Sequence, residues 1–110
     1  MKAILFFLIF LVSSSHVFAL RVFKTSSKYD AHVKVYSAKS KYDADLIVYS
    51  VKSKYDANKD GRWFFTNSKY DADKKVFFVS SKYDADLIIF FANSKYDAGW
   101  RNRSKQHLLK

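Results

Sequence analysis

The pentapeptide Ser-Lys-Tyr-Asp-Ala occurs six times in 110 residues, beginning at Ser27, Ser40, Ser53, Ser68, Ser81 and Ser94. The spacings are 13, 13, 15, 13 and 13, and the single 15 comes from an insertion around Asn58-Lys59-Asp60-Gly61-Arg62. A fixed period means that one local unit is built repeatedly and that neighbouring units bury their apolar faces on one another. Thirteen residues leave little room for a two-turn helix with a turn on either side. The apolar segments between the pentapeptides are Val22-Phe23, Val33 to Tyr36, Leu46 to Val51, Trp63 to Phe65, Val76 to Val79 and Leu87 to Ala92. These are strand lengths, not helix lengths.

Residue choice agrees. Val, Ile, Phe and Tyr fill the segments, and Ser, Lys and Asp punctuate them, the pattern of strands and turns. All ten acids are Asp; Glu, a common helix-surface residue, is absent, and so is Pro. The expectation is a single all-β domain of short strands over residues 20–110.

A longer symmetry overlies the short one. The stretch from Ser27 matches that from Ser68, 41 residues on, and Asp45-Leu46-Ile47-Val48-Tyr49 falls on Asp86-Leu87-Ile88-Ile89-Phe90. Trp63 and Trp100 each follow the third pentapeptide of a half. Two three-unit halves joined by the glycine-containing insertion predict a pseudo-twofold fold. Val33-Lys34-Val35-Tyr36 alternates like a half-buried strand. Leu46 to Tyr49 and Leu87 to Phe91 are apolar on both faces, which places them centrally, with Leu46, Val48, Leu87 and Ile89 among the least exposed residues.

Within the pentapeptide, Asp is a turn former whose carboxylate accepts from nearby N–H groups. Ala after it suggests a crowded position. In an extended segment Lys and Asp share a face and form a weak ion pair that helps registry, while Tyr points the other way. The motif then reads as scaffold, with the aromatic residues serving as core. The alternative is that Tyr29, Tyr42, Tyr55, Tyr70, Tyr83 and Tyr96 line a surface for a repetitive ligand such as a glycan.

The recurring S-K-Y-D-A-D, the D-L-I-V-Y and D-L-I-I-F strands and the closing S-K-Y-D-A-G-W resemble the septoil-knot family, small bacterial proteins with a seven-crossing torus knot, from Val22 to about Arg103. The resemblance implies a compact β domain with a deeply knotted backbone and brings no activity with it. His32-Val33-Lys34 and Asp73-Lys74-Lys75 stand where more apolar strands are expected, which weakens the case for strands there.

Residues 1–19 read as a secretory signal peptide: Lys2, an apolar run from Ala3 to Val12, three serines, and Val17-Phe18-Ala19 with small residues at −3 and −1. The run is too short to span a bilayer, which takes about 20 residues. No membrane span is expected, and the processed chain is expected in the periplasm or outside the cell.

Residues 20–110 hold 19 Lys and Arg against 10 Asp, a net charge of +9. That charge suits an anionic polymer, a polysaccharide or a nucleic acid, or an anionic cell-surface component. The segment from about 101 to 110 carries Arg101, Arg103, Lys105 and Lys110 without an acid and reads as a solvated basic tail. Asp56, Asn58, Asp60 and Gly61 fit the first half of a calcium loop. Phe64 and Asn67 then stand where the later ligands belong, so a hairpin turn at Asp60-Gly61 is the stronger reading.

No catalytic residue, cofactor or metal ligand is assigned. There is no Cys, and His32 and His107 are the histidines of residues 20–110. The pairs Asp43/Asp45, Asp71/Asp73 and Asp84/Asp86 could in principle act as acid and base, but recurring three times they suit a structural turn better. The expected function is that of an exported structural or interaction protein without catalysis, or else of a binding module for anionic polymers through the lysine-rich surface.

Overall fold

The computed structural model describes residues 20–110, so the expected signal peptide lies outside the described residues. Seven strands are present: β1 (Arg21–Lys24), β2 (Val33–Ser37), β3 (Leu46–Val51), β4 (Arg62–Phe65), β5 (Lys74–Phe78), β6 (Leu87–Phe91) and the two-residue β7 (Gly99–Trp100). Around the sheet the order is β4-β1-β5-β2-β6-β3, and β3 pairs again with β4, which closes a barrel of six parallel strands. β7 runs antiparallel on the start of β3, with Leu46 opposite Trp100. The fold is all-β. His32-Val33-Lys34 and Asp73-Lys74-Lys75 lead into full strands, so the doubt about these two segments is removed.

The strand order sets the path. β5 lies between β1 and β2, β6 between β2 and β3, β1 between β4 and β5, and β2 between β5 and β6. The chain therefore laps the barrel twice, with the second lap laid into the gaps of the first. The turns between strands rest on the intervening strands: the turn after β1 on β5, that after β2 on β6, that after β5 on β2 and that after β6 on β3. Each lap is thus held under the crossovers of the other, the arrangement a torus knot requires.

Parallel neighbours usually need a crossover of a dozen or more residues with a helix. Eight residues join Lys24 to Val33. Extended chain reaches about 3.3 Å per residue, so eight residues suffice to return along a strand of four or five. The 13-residue period is the length of one strand plus one extended return.

The strands of the two halves fall at the 41-residue offset as expected: β1, β2 and β3 correspond to β4, β5 and β6. The tryptophans do not correspond. Trp63 is the counterpart of Val22, fully buried on β4, whereas Trp100 lies half-buried on β7. Nor is there a central pair of strands. Leu46, Val48, Leu87 and Ile89 are fully buried as expected, and Val22, Val35, Trp63 and Val76 are equally so, because every strand sends alternate residues into the barrel. The outer faces of β3 and β6 are apolar because crossovers lie on them; outward-pointing Ile47 is buried under the turn that follows β6.

Gly61 marks a close crossing of the chain. Its φ is +83°, and a Cβ there would collide with the carbonyl oxygen of Ile47 and lie 2.7 Å from the amide of Gly99. The insertion is thus the place where the second lap begins beneath the chain's last turn. Residues 101–110 are only in part the solvated tail expected: residues 101–104, His107 and Lys110 are exposed, but the segment is folded back on the barrel. A 3₁₀ helix, Arg103–Leu109, lays Leu108 and Leu109 with Trp100 against the core at the end where the strands begin. Lys74 Nζ donates to the main-chain oxygen of Lys110 at 2.8 Å, and Lys105 Nζ to that of Asp86 at 3.0 Å.

Candidate binding surface

Each pentapeptide forms a single tight turn on the outside of the barrel. The Asp N–H donates to the Ser carbonyl and the Ala N–H to the Lys carbonyl, as in Asp43 to Ser40 at 3.2 Å and Ala44 to Lys41 at 3.2 Å. In five copies the Ser hydroxyl accepts from the Tyr N–H, so serine rather than aspartate caps the turn. The copy at Ser68 keeps the two backbone bonds without that cap among the described hydrogen bonds.

The tight turn overturns the expectation of an extended motif with Lys and Asp on one face. Among the described residues the ion pairs are Arg21–Asp73 and Lys75–Asp30, so no pentapeptide pairs its own Lys and Asp. Each Lys instead places its ammonium over the ring of the following Tyr, 5.4 to 5.7 Å from the centroid in all six copies. Arg101 adds a second cation over Tyr42 at 5.5 Å. Such exposed cation–π contacts contribute about 0.5–1 kcal/mol each and pre-organise both groups.

The six tyrosines are displayed, not buried. Tyr42 is the least exposed at 73% and Tyr70 the most at 90%. Counting the aromatic residues as core therefore fails for these six, which are displayed as the alternative had it; valine, leucine, isoleucine and one tryptophan fill the barrel instead. Large aromatic rings at that exposure are informative, since burial is their ordinary fate. What results is six Lys–Tyr pairs set around the barrel, one on each return.

The residue after each Ala has a separate role that sequence reasoning missed. It is His32, Asp45, Asn58, Asp73, Asp86 or Gly99. Asp45 Oδ2 accepts the Ile88 N–H at 2.9 Å, Asp73 Oδ2 the Arg21 N–H at 2.8 Å and Asp86 Oδ2 the Lys34 N–H at 2.9 Å. Each also donates its own N–H to the carbonyl of the same residue, closing a two-bond clamp on the neighbouring strand. His32 does the same with Lys75. The second member of each aspartate pair thus holds strand registry, a task separate from that of the first member, Asp43, Asp71 or Asp84, on the turn.

Burial and the nearby cations Lys74 and Lys75 hold the His32 pKa below its ordinary value. The hydrogen bond from Lys75 likewise lowers that of Asp30. In the calcium-like stretch, Arg62 donates to Asn58 Oδ1 at 3.4 Å, a cation on one of the three candidate oxygens. Gly61 there serves the chain crossing. Trp63 Nε1 is buried without a hydrogen-bond partner.

Residues 19–101 match the family described as the 7(1) septoil knot domain. Searches of curated proteins and of solved structures each returned no significant match. The plug formed by residues 103–109 lies beyond the matched span.

Proposed function

The chain belongs to the septoil-knot family, and since a shared scaffold leaves function to what each chain displays on it, we propose that this one is an exported, non-enzymatic binding module for an anionic polysaccharide. The observation that carries this reading is the sixfold display of tyrosine rings, each with a lysine ammonium over it. A sugar ring packs on an aromatic face, and the adjacent ammonium meets a carboxylate or sulfate on the same or the next residue. Repeated pairs match a repeated ligand, and weak single contacts gain through multivalency. The net charge of residues 20–110 supplies long-range attraction. Export rests on the signal-peptide pattern of residues 1–19. Catalysis has no part in the proposal, because the aspartate pairs are divided by the strand clamps.

Retention of residues 20–110 on a heparin resin tests it. The proposal expects elution well above 0.15 M salt, taken here as about physiological strength, and earlier elution when Tyr29, Tyr42 and Tyr55 are changed to Ala with every lysine kept. Flow-through at physiological salt, or retention indifferent to the tyrosines, contradicts it. Stronger retention on duplex DNA than on heparin would favour a nucleic-acid partner.

A further inference from the structure

The two ends of the barrel are finished differently. Where the strands begin, the chain's own Trp100, Leu108 and Leu109 cover the core. Where they end, Phe65, Phe78 and Phe91 form the rim. Each stands three residues before a pentapeptide, and their counterparts 41 residues earlier are Lys24, Ser37 and Ser50. In register, Phe65 lies beside Val22, Phe78 beside Val35 and Phe91 beside Val48. The rim is thus half phenylalanine and half polar, although the fold around it repeats.

The phenylalanines form one cluster. Phe78 and Phe91 stack at 6.3 Å with 4° between their planes, and Phe65 meets Phe91 at 6.3 Å. Phe91 is 37% exposed, the most exposed large hydrophobe among the described residues apart from the six tyrosines. Beside the cluster is a depression of about 450 Å³ bordered by Phe23, Lys24, Phe65, Thr66, Asn67, Phe78 and Phe91. That volume is in the range of small-molecule sites. Lys24 holds its ammonium 5.0 Å from the Phe78 centroid, and among the described ion pairs it has no carboxylate.

We infer that this rim binds a small amphiphilic anion, an alkyl or aryl carboxylate or sulfonate, with its apolar part on Phe65, Phe78 and Phe91 and its charge on Lys24. Charge complementarity decides the class. A neutral apolar ligand gains nothing from the exposed ammonium, an anion gains an ion pair, and a cation is repelled. The site is separate from the Lys–Tyr pairs and does not depend on the polysaccharide reading.

Titration of residues 20–110 with anilinonaphthalene sulfonate, followed by fluorescence, tests the inference. Saturable 1:1 enhancement is expected. Lys24→Gln should weaken it about three- to fivefold, the upper range of an exposed charge pair, and Phe91→Ser about tenfold. Lys59→Gln, at the plugged end, should leave it unchanged. Decanoate should displace the dye better than decanol, and Lys24→Gln should erase that difference. Absence of saturable enhancement, equal displacement by decanol and decanoate, or equal loss from Lys59→Gln and Lys24→Gln would overturn it. The Lys24 and competition arms stand even if Phe91→Ser does not fold.

Discussion

His32 and Lys75 are joined by two reciprocal hydrogen bonds: the Lys75 N–H donates to His32 Nδ1 at 2.9 Å, and the His32 N–H donates to the Lys75 carbonyl at 2.8 Å. An aspartate makes the same clamp at three equivalent positions, and a carboxylate accepts over a wider pH range than imidazole. Nδ1 can accept only while it carries no proton.

That requirement gives stability a pH dependence. The folded pKa of His32 is depressed, through burial first and then the charges of Lys74 and Lys75, with Asp30 opposing. The folded state therefore favours neutral imidazole. This contribution is fully present above the unfolded value of about 6.5 and is lost as pH falls through the lower folded value. Thermal melts between pH 8 and pH 5 should show Tm dropping in that window. His32→Asp, which restores the residue used at the other clamps, should flatten the drop.

The clamps should separate the two members of each aspartate pair. Asp45 accepts from the Ile88 N–H and from Asn102 Nδ2, whereas Asp43 is exposed on the turn. Asp45→Ala is expected to cost about 1–3 kcal/mol in urea unfolding, the cost of an unsatisfied strand donor. Asp43→Ala should change stability by less than about 0.5 kcal/mol.

Gly61 should not tolerate a side chain. At φ +83°, and with Ile47 and Gly99 backbone against its Cα, Gly61→Ala faces both strain and collision. A loss well above 1 kcal/mol is expected, visible as a lower denaturant midpoint with an unchanged m-value.

The interleaved laps predict slow unfolding. The chain cannot leave the barrel by peeling one edge, because the crossovers of each lap hold down the other. Stopped-flow unfolding extrapolated to water should give a rate below about 10⁻⁵ s⁻¹, the slow end for small domains. A rate ordinary for domains of this size would count against it.

Much of the architecture was legible because it is local. The period fixed strand length and turn length, and Leu46, Val48, Leu87 and Ile89 announced burial by being apolar in a repeating place. Closure and parallel pairing were not legible, since register depends on partners far apart in the chain, 43 residues between Val33 and Val76 and 52 between Val22 and Lys74. The display of the tyrosines stood only as the alternative because a large aromatic ordinarily signals core. A signal was present nonetheless. Inward residues vary from unit to unit, Val22 against Trp63 and Val48 against Ile89, because each must fit a different part of one interior. Lys-Tyr-Asp never varies, as befits an outer turn free of that constraint. The clamp was hidden in the opposite way, since His32, Asp45, Asn58 and Gly99 share a position without sharing a side chain.

The polysaccharide reading stands or falls on the tyrosine rings themselves. Ring proton shifts of residues 20–110 should be followed by NMR during titration with a sulfated oligosaccharide. The account predicts saturable, salt-sensitive shifts of the motif rings, Tyr29, Tyr42, Tyr55, Tyr70, Tyr83 and Tyr96, with Tyr36 and Tyr49 on the strands unmoved. Binding that leaves the six motif rings unshifted, or no binding at low salt, would contradict it.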